Sequence, residues 1–169
     1  SNDRVIGGLD DNSAISARDF YKTFVTGELH ITNAKTAEMC KLVENSSRDV
    51  SISFANELSM ICDQADINVW DLIHLANKHP RVNILQPGTG VGGHCIAVDP
   101  WFLISAFKKD AVLIRNAREI NNYKTEWVIE KIKQVSDDYL KNNNDKPTIA
   151  IMGLSFKPDI DDLRQSPAL

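Results

Sequence analysis

The sequence predicts a mainly α-helical chain: a helical middle with one long bracing helix, flanked by strand remnants of two truncated α/β domains. Three observations predict it. Strand-like runs are confined to the flanks, at RVIGG (4–8), LHITN (29–33) and KPTIAIMGL (146–154). Between the second and third runs, apolar residues recur at helical rather than alternating spacing. The last run opens a parallel β-α-β pattern, which needs about 30 residues or more, yet only SFKPDIDDLRQSPAL follows it. The expected division is the tail of one sheet domain over 1–33, a helical middle over 34–145, and the head of another sheet domain over 146–169.

The elements follow in order. RVIGG closes on two glycines, like the last edge of a sheet. Asn12 or Ser13 is suited to cap a helix that runs to about Gly27, whose glycine fits the position after a helix end. LHITN is a short β-branched run. A long helix is expected over 34–64, where Ala37, Met39, Cys40, Val43, Val50, Ile52, Phe54, Leu58, Ile61 and Cys62 mostly follow helical spacing. A shorter helix over about 69–78 is ended by Pro80. Residues 80–98 form a glycine-rich loop. Asp99-Pro100 then opens another helix, with Asp as cap and Pro at the first helical position. Helical signals continue to about 142 through Ile114, Ala117, Ile120, Trp127, Val128, Ile132, Val135 and Tyr139, with charged residues on the other face. A helix of roughly 30 residues measures about 45 Å, a length more typical of a brace between domains or subunits than of one compact core. The polar turn KNNNDK precedes the last strand, which reads as buried.

Composition narrows the function classes. The 169 residues are 43% hydrophobic and 25% charged, which excludes a disordered or low-complexity chain. With 19 basic and 23 acidic side chains the net charge is −4, so no basic excess points to nucleic acid or an anionic membrane surface. A small basic pocket for one phosphorylated ligand stays open. Apolar runs fall far short of the roughly 20 residues that span a bilayer, and SNDRVIGG lacks the features of a secretory signal. Three widely spaced cysteines make no disulfide framework, so a reducing, cytoplasmic setting is expected.

The chemistry concentrates in RVNILQPGTGVGGHCIAVDPWF (81–102). Gly88-x-Gly90-x-x-Gly93 spells a dinucleotide fingerprint, but it neither follows a buried strand nor opens a helix, as that fingerprint requires. These glycines, with Gly92, either let the backbone approach a ligand or make a flexible connector. Cys95 lies four residues before a helix start, where the helix dipole favours a thiolate able to attack an aldehyde carbon. The alternative is a buried inert thiol, as Cys40 and Cys62 are read. Asp99 is either a cap or a carboxylate that polarises a water beside Cys95. His94, His74 and His79 lack metal-ligand spacing, so no metal is expected, and His94 reads as a loop hydrogen-bonder. Lys41 and Asn45 share a helix face, with Glu44 and Arg48 nearby; they suit a developing alkoxide or make an ordinary solvated face. Lys157 and Arg164 follow a strand end, where ligands bind in α/β sheets, or belong to a plain polar loop.

AEMCKLVENSSRDVSISFANEL, GTGVGGHCIAVDPWF and IAIMGLSFKPDIDDLRQSPA together resemble the UDP-glucose/GDP-mannose dehydrogenase family, in the family's order. The HCIAVDPWF wording is most similar to bacterial members acting on UDP-N-acetyl-D-mannosamine. UDP-N-acetylglucosamine or UDP-glucose as substrate, and a non-catalytic helical dimerisation module, are the alternatives. The resemblance implies NAD-dependent oxidation of a UDP-sugar hydroxyl to a carboxylate through a cysteine thiohemiacetal and thioester. It implies Cys95 as nucleophile, Lys41 and Asn45 as holders of the oxyanion and a water, and Asp99 as base or water orienter. By the same resemblance Lys157 touches the sugar and Arg164 the cofactor phosphates. Gly88, Gly90, Gly92 and Gly93 wrap the sugar nucleotide, and Arg81 is lent to a partner subunit's site. The flanks become Rossmann-like: the tail of an N-terminal nucleotide-binding domain and the start of a C-terminal UDP-binding domain. The central helices are expected to form a homodimer. The family's true glycine fingerprint and its N-terminal catalytic residues have no counterpart in this sequence. This chain alone is therefore expected to bind no NAD and to be inactive.

Overall fold

The computed structural model describes residues 2–143 and 145–169. The first two β-rich runs become strands. β1 (Arg4–Gly8) and β2 (Leu29–Asn33) pair in parallel with Ile6 opposite Ile31, and α1 (Asp11–Tyr21) joins them into a β-α-β unit. The helix cap is Asp10 rather than Asn12 or Ser13. Its carboxylate accepts from Ser13 N at 2.7 Å, while Ser13 Oγ accepts from Asp10 N at 3.1 Å. This reciprocal box satisfies two backbone donors that a helix start leaves orphaned. The helix also ends earlier than expected, at Tyr21 with Lys22 as its C-cap, well before Gly27. Phe20 and Phe24 meet edge to face there, with ring centroids 5.5 Å apart.

α2 (Ala34–Gln64) has the expected bounds, and the Asn33 side chain accepts from Thr36 N at its start. Backbone contacts divide the chain into two units, Ser1–Glu44 and Asn45–Leu169, with the boundary inside α2. In the first unit Ile6 and Ala14 are buried.

The second unit holds the rest of α2, then α3 (Val69–Ala76), α4 (Asp99–Ala106) and α5 (Val112–Asn143). The continuous helix expected from Asp99 to about 142 is two helices. Phe107, at φ −123° and ψ 54°, leaves helical geometry, and residues 107–111 turn the chain back so that α4 packs on α5. Asp99 is the first residue of α4 and not its cap: Val98 occupies that position without a side-chain cap bond. The 32 residues of α5 give a rod of about 48 Å.

The seam between α2 and α5 is polar, which the apolar spacing does not anticipate. Of the α2 positions picked out above, Cys62 is buried, while Val43, Phe54 and Ile61 are exposed. The buried residues are instead Asn45, Asp49, Asn56 and Ser59 on α2, the last three bonded to Asn121, Arg118 and Lys124 on α5. Charged residues of α5 thus enter the interior as well as the solvated face. The burial is tolerable because most of the groups satisfy one another. Arg118 Nη1 donates to Asp49 Oδ1 at 2.6 Å, and Asn121 Nδ2 donates to the same oxygen at 2.8 Å. Lys124 Nζ donates to Ser59 Oγ at 2.8 Å and lies 3.8 Å from the Trp127 ring centroid.

KPTIAIMGL forms no strand and is not buried. Ile149, Ile151 and Met152 are exposed, and no described segment pairs with this one. A strand exists through its hydrogen-bonded neighbour, and the described residues supply none here. The KNNNDK turn includes Asn144, which lies outside the described residues. Among the described residues, no helix is long and apolar enough to cross a membrane.

Candidate active site

The glycine-rich loop is fastened at several points, contrary to what a flexible connector would show. Asn77, the C-cap of α3, brackets Ile84 with both ends of its amide, at 2.9 Å to the carbonyl and 2.7 Å from the N–H. Asn56 Oδ1 accepts from Gly88 N at 2.8 Å, and Thr125 Oγ1 donates to Thr89 O at 2.9 Å. Gly93 N donates to Arg164 O at 2.9 Å, docking the C-terminal tail onto the loop.

That docking accounts for two of the glycines. At Gly93, with φ +88°, a Cβ would come within 2.8 Å of the Phe156 ring; at Gly92 it would come within 2.5 Å of Gln165 O. Only a residue without a side chain fits under the tail. Gly88 is different, since a Cβ there would meet nothing nearer than 3.9 Å.

Cys95 is half-buried on the turn that leads into α4. Its carbonyl accepts from Val98 N at 3.0 Å and Asp99 N at 2.7 Å, so the cysteine stands one turn before the helix. Asp99 adds a carboxylate to that first turn, where the dipole favours negative charge. Asn45 reaches across from α2 and donates Nδ2 to Asp99 Oδ2 at 2.5 Å. Such a charge-assisted bond fixes the carboxylate while leaving its other oxygen available to a water.

The tail brings a second set of charges to the loop. Arg164 forks onto Asp162, Nε at 2.9 Å and Nη2 at 2.7 Å, and His94 Nδ1 lies 3.5 Å from the same carboxylate. The Arg164 hydrogen bonds hold the Asp162 carboxyl well below the usual carboxylate range. In return the Asp162 hydrogen bond pushes Arg164 up. Burial pushes the Asp49 carboxyl of the polar seam up, with Arg118 and Asn121 pulling against it.

Asn45, Cys95, Asp99, Arg164 and the glycines are thus linked within one unit. The remaining candidates stand differently. Lys41 belongs to the N-terminal unit and pairs with Glu44 at 3.5 Å. Lys157 is exposed, its Nζ 5.7 Å from the Phe156 ring centroid. Arg81 is exposed on the turn after α3, its backbone N–H on His79 Nδ1 at 3.3 Å.

The described residues do not fit NAD by themselves. A dinucleotide places its pyrophosphate at a helix N-terminus after a glycine turn. In the β-α-β unit the Asp10 carboxylate already occupies that terminus.

Asn56, Asn121 and Thr125 are the residues that sequence reasoning missed. Asn45, Asp49 and Asn56 do share one helix face, a polar stripe that a search for apolar periodicity passes over.

Residues 35–123 match the UDP-glucose/GDP-mannose dehydrogenase family, central domain. The chain belongs to this family. It is 60% identical over 168 residues to a UDP-N-acetyl-D-mannosamine dehydrogenase of Campylobacter jejuni, covering 99% of this chain and 40% of that protein. An NDP-N-acetyl-D-galactosaminuronic acid dehydrogenase of Ralstonia nicotianae is 56% identical over 168 residues, with 99% of this chain and 38% of the relative covered. Among solved structures, UDP-D-ManNAc dehydrogenase of Pyrococcus horikoshii superposes with a TM-score of 0.85 at 45% identity, over 98% of this chain and 40% of that one. This member of the dehydrogenase family therefore spans about two fifths of the length of the relatives it matches.

Proposed function

We propose that this chain is the central part of an NAD-dependent UDP-sugar 6-dehydrogenase, with UDP-N-acetyl-D-mannosamine as the substrate. The observation that carries it is the Asn45–Asp99 hydrogen bond on the helix that follows Cys95. A thiol, a donor amide and a fixed carboxylate are the parts that acyl transfer through sulfur requires.

In this reading the Cys95 sulfur adds to the sugar aldehyde, forming a C–S bond while the thiol proton ends on the hemiacetal oxygen. Asn45 stabilises that oxygen as it becomes negative. After oxidation to the thioester, Asp99 takes a proton from a water that attacks the carbonyl. The C–S bond breaks, and the sulfur regains its proton. Arg164 meets the cofactor phosphates. The bound dinucleotide would supply the hydride acceptor for both oxidation steps. The described residues build no site for it, and their own part is the capture and release of the carbon skeleton.

The glycine loop with Lys157 receives the sugar nucleotide, and Arg81 serves the partner subunit's site. The setting is cytoplasmic, and a homodimer forms through the central helices. The exposed Ile129, Ile132, Val135 and Tyr139 along α5 support such a contact. A relative named for another N-acetylated sugar is 56% identical over 168 residues, so the test compares UDP-sugars.

The test is turnover by the full-length protein with NAD on UDP-N-acetyl-D-mannosamine, UDP-N-acetylglucosamine and UDP-glucose, with Cys95→Ala beside it. Oxidation of the first substrate, abolished in the variant, is the expected result. Preference for another UDP-sugar would reassign the substrate, and full activity without the thiol would defeat the mechanism.

A further inference from the structure

We propose that Asn56 is a positioning residue: it holds the start of the glycine-rich loop in the shape that receives the sugar nucleotide, with its orientation dictated by the buried Asp49 carboxylate. The sugar-nucleotide part rests on the function proposed above.

The argument is one of hydrogen-bond direction. An ionised carboxylate only accepts. Asn121 must therefore turn its Nδ2 toward Asp49, and it does so at 2.8 Å to Oδ1 and 3.1 Å to the backbone carbonyl. The Oδ1 of Asn121 then faces α2 and accepts from Asn56 Nδ2 at 2.9 Å. That leaves Asn56 Oδ1 toward the loop, where it accepts from Gly88 N at 2.8 Å. Each amide is oriented by the one before it, and a flip of either would set acceptor against acceptor. Asn56 and Asn121 are 0% and 1% exposed, so water cannot stand in for a lost partner. Arg118 anchors the other end of the relay through Asp49.

The loop needs this fastening at Gly88 because crowding does not hold it there, as the open space around that glycine shows. The turn carrying Cys95 is fastened separately, through Val98, Asp99 and the Gly93–Arg164 bond. Loss of the relay should therefore displace the substrate loop more than the nucleophile.

The experiment uses the full-length protein and Asn56→Asp. The variant keeps size and the acceptor for Gly88 but sets a carboxylate oxygen against Asn121 Oδ1. KM for UDP-N-acetyl-D-mannosamine is expected to rise about tenfold or more, with kcat changed less than about threefold and iodoacetamide labelling of Cys95 unchanged. A folded variant with wild-type KM, or with kcat falling as far as KM rises, overturns the proposal. If the variant does not fold, amide hydrogen exchange of the wild type decides: Gly88 is expected to exchange about a hundredfold more slowly than Gly90, and parity overturns the relay. A wild-type protein that oxidises no UDP-sugar refutes the proposed function and the sugar-nucleotide role with it. Gly88 exchange still judges the relay in that case.

Discussion

Asn45 and Asp99, 54 positions apart in the chain, meet through a 2.5 Å hydrogen bond between carboxamide and carboxylate. It ties the middle of α2 to the first turn of α4 beside Cys95. If Asp99 activates the water that releases the acyl group, Asp99→Asn should stall the full-length enzyme after the thioester forms. Turnover is expected to fall about 100-fold or more, and intact-mass analysis should find the uronyl group on the Cys95 peptide. An active variant with an unmodified cysteine would remove Asp99 from the reaction.

Cys95 and Cys62 offer a test of the sulfur itself. Cys95 is half-buried and Cys62 buried, so iodoacetamide should label Cys95 about tenfold faster or more in the folded chain. Equal labelling rates for the two would show that Cys95 is no more accessible than a core thiol.

The buried pair Asp49–Arg118 predicts a stability effect. Arg118→Ala leaves a carboxylate in the interior without its cation, which costs about 3–5 kcal/mol in urea unfolding. Replacing both partners, as Asp49→Leu with Arg118→Met, should cost clearly less, because no charge is then stranded. The pair has slack, since Asp49 Oδ2 and Arg118 Nε have no hydrogen-bond partner among the described residues. A double variant as unstable as the single one would contradict this account.

Asp162 sets the acid side of the tail's docking. Its folded pKa lies below the ordinary value of 3.8, chiefly through hydrogen bonds from Arg164. Its contribution is therefore complete above that value and is lost as pH falls below it. Intrinsically corrected exchange of the Gly93 amide should accelerate between about pH 4 and about pH 2. In Asp162→Asn the acceleration should shrink, because the titrating group is gone. An unchanged profile would place the acid-sensitive contact elsewhere.

Local features were legible in the sequence. The bounds of α2 follow from helical spacing, and Gly92, Gly93, Cys95 and Asp99 are neighbours because they are close in sequence. Features that depend on distant partners were not. Asp49 and Asn56 make sense only opposite Arg118 and Asn121, more than 60 positions further along, and Asn45 only opposite Asp99. KPTIAIMGL has the composition of a strand but no neighbour to pair with among the described residues. The cap at Asp10 was misplaced by a few residues because Asp10, Asn12 and Ser13 all suit the role; the reciprocal bond between Asp10 and Ser13 decides it.

The seam between α2 and α5 has a mechanical consequence. A row of leucines tolerates sliding, since any greasy side chain accepts any other. Asp49, Asn56 and Ser59 pair with Arg118, Asn121 and Lys124 in one alignment. A shift by one helical turn, about 5.4 Å, would break every one of these bonds at once. The two rods therefore behave as a keyed shaft, locked in a single register.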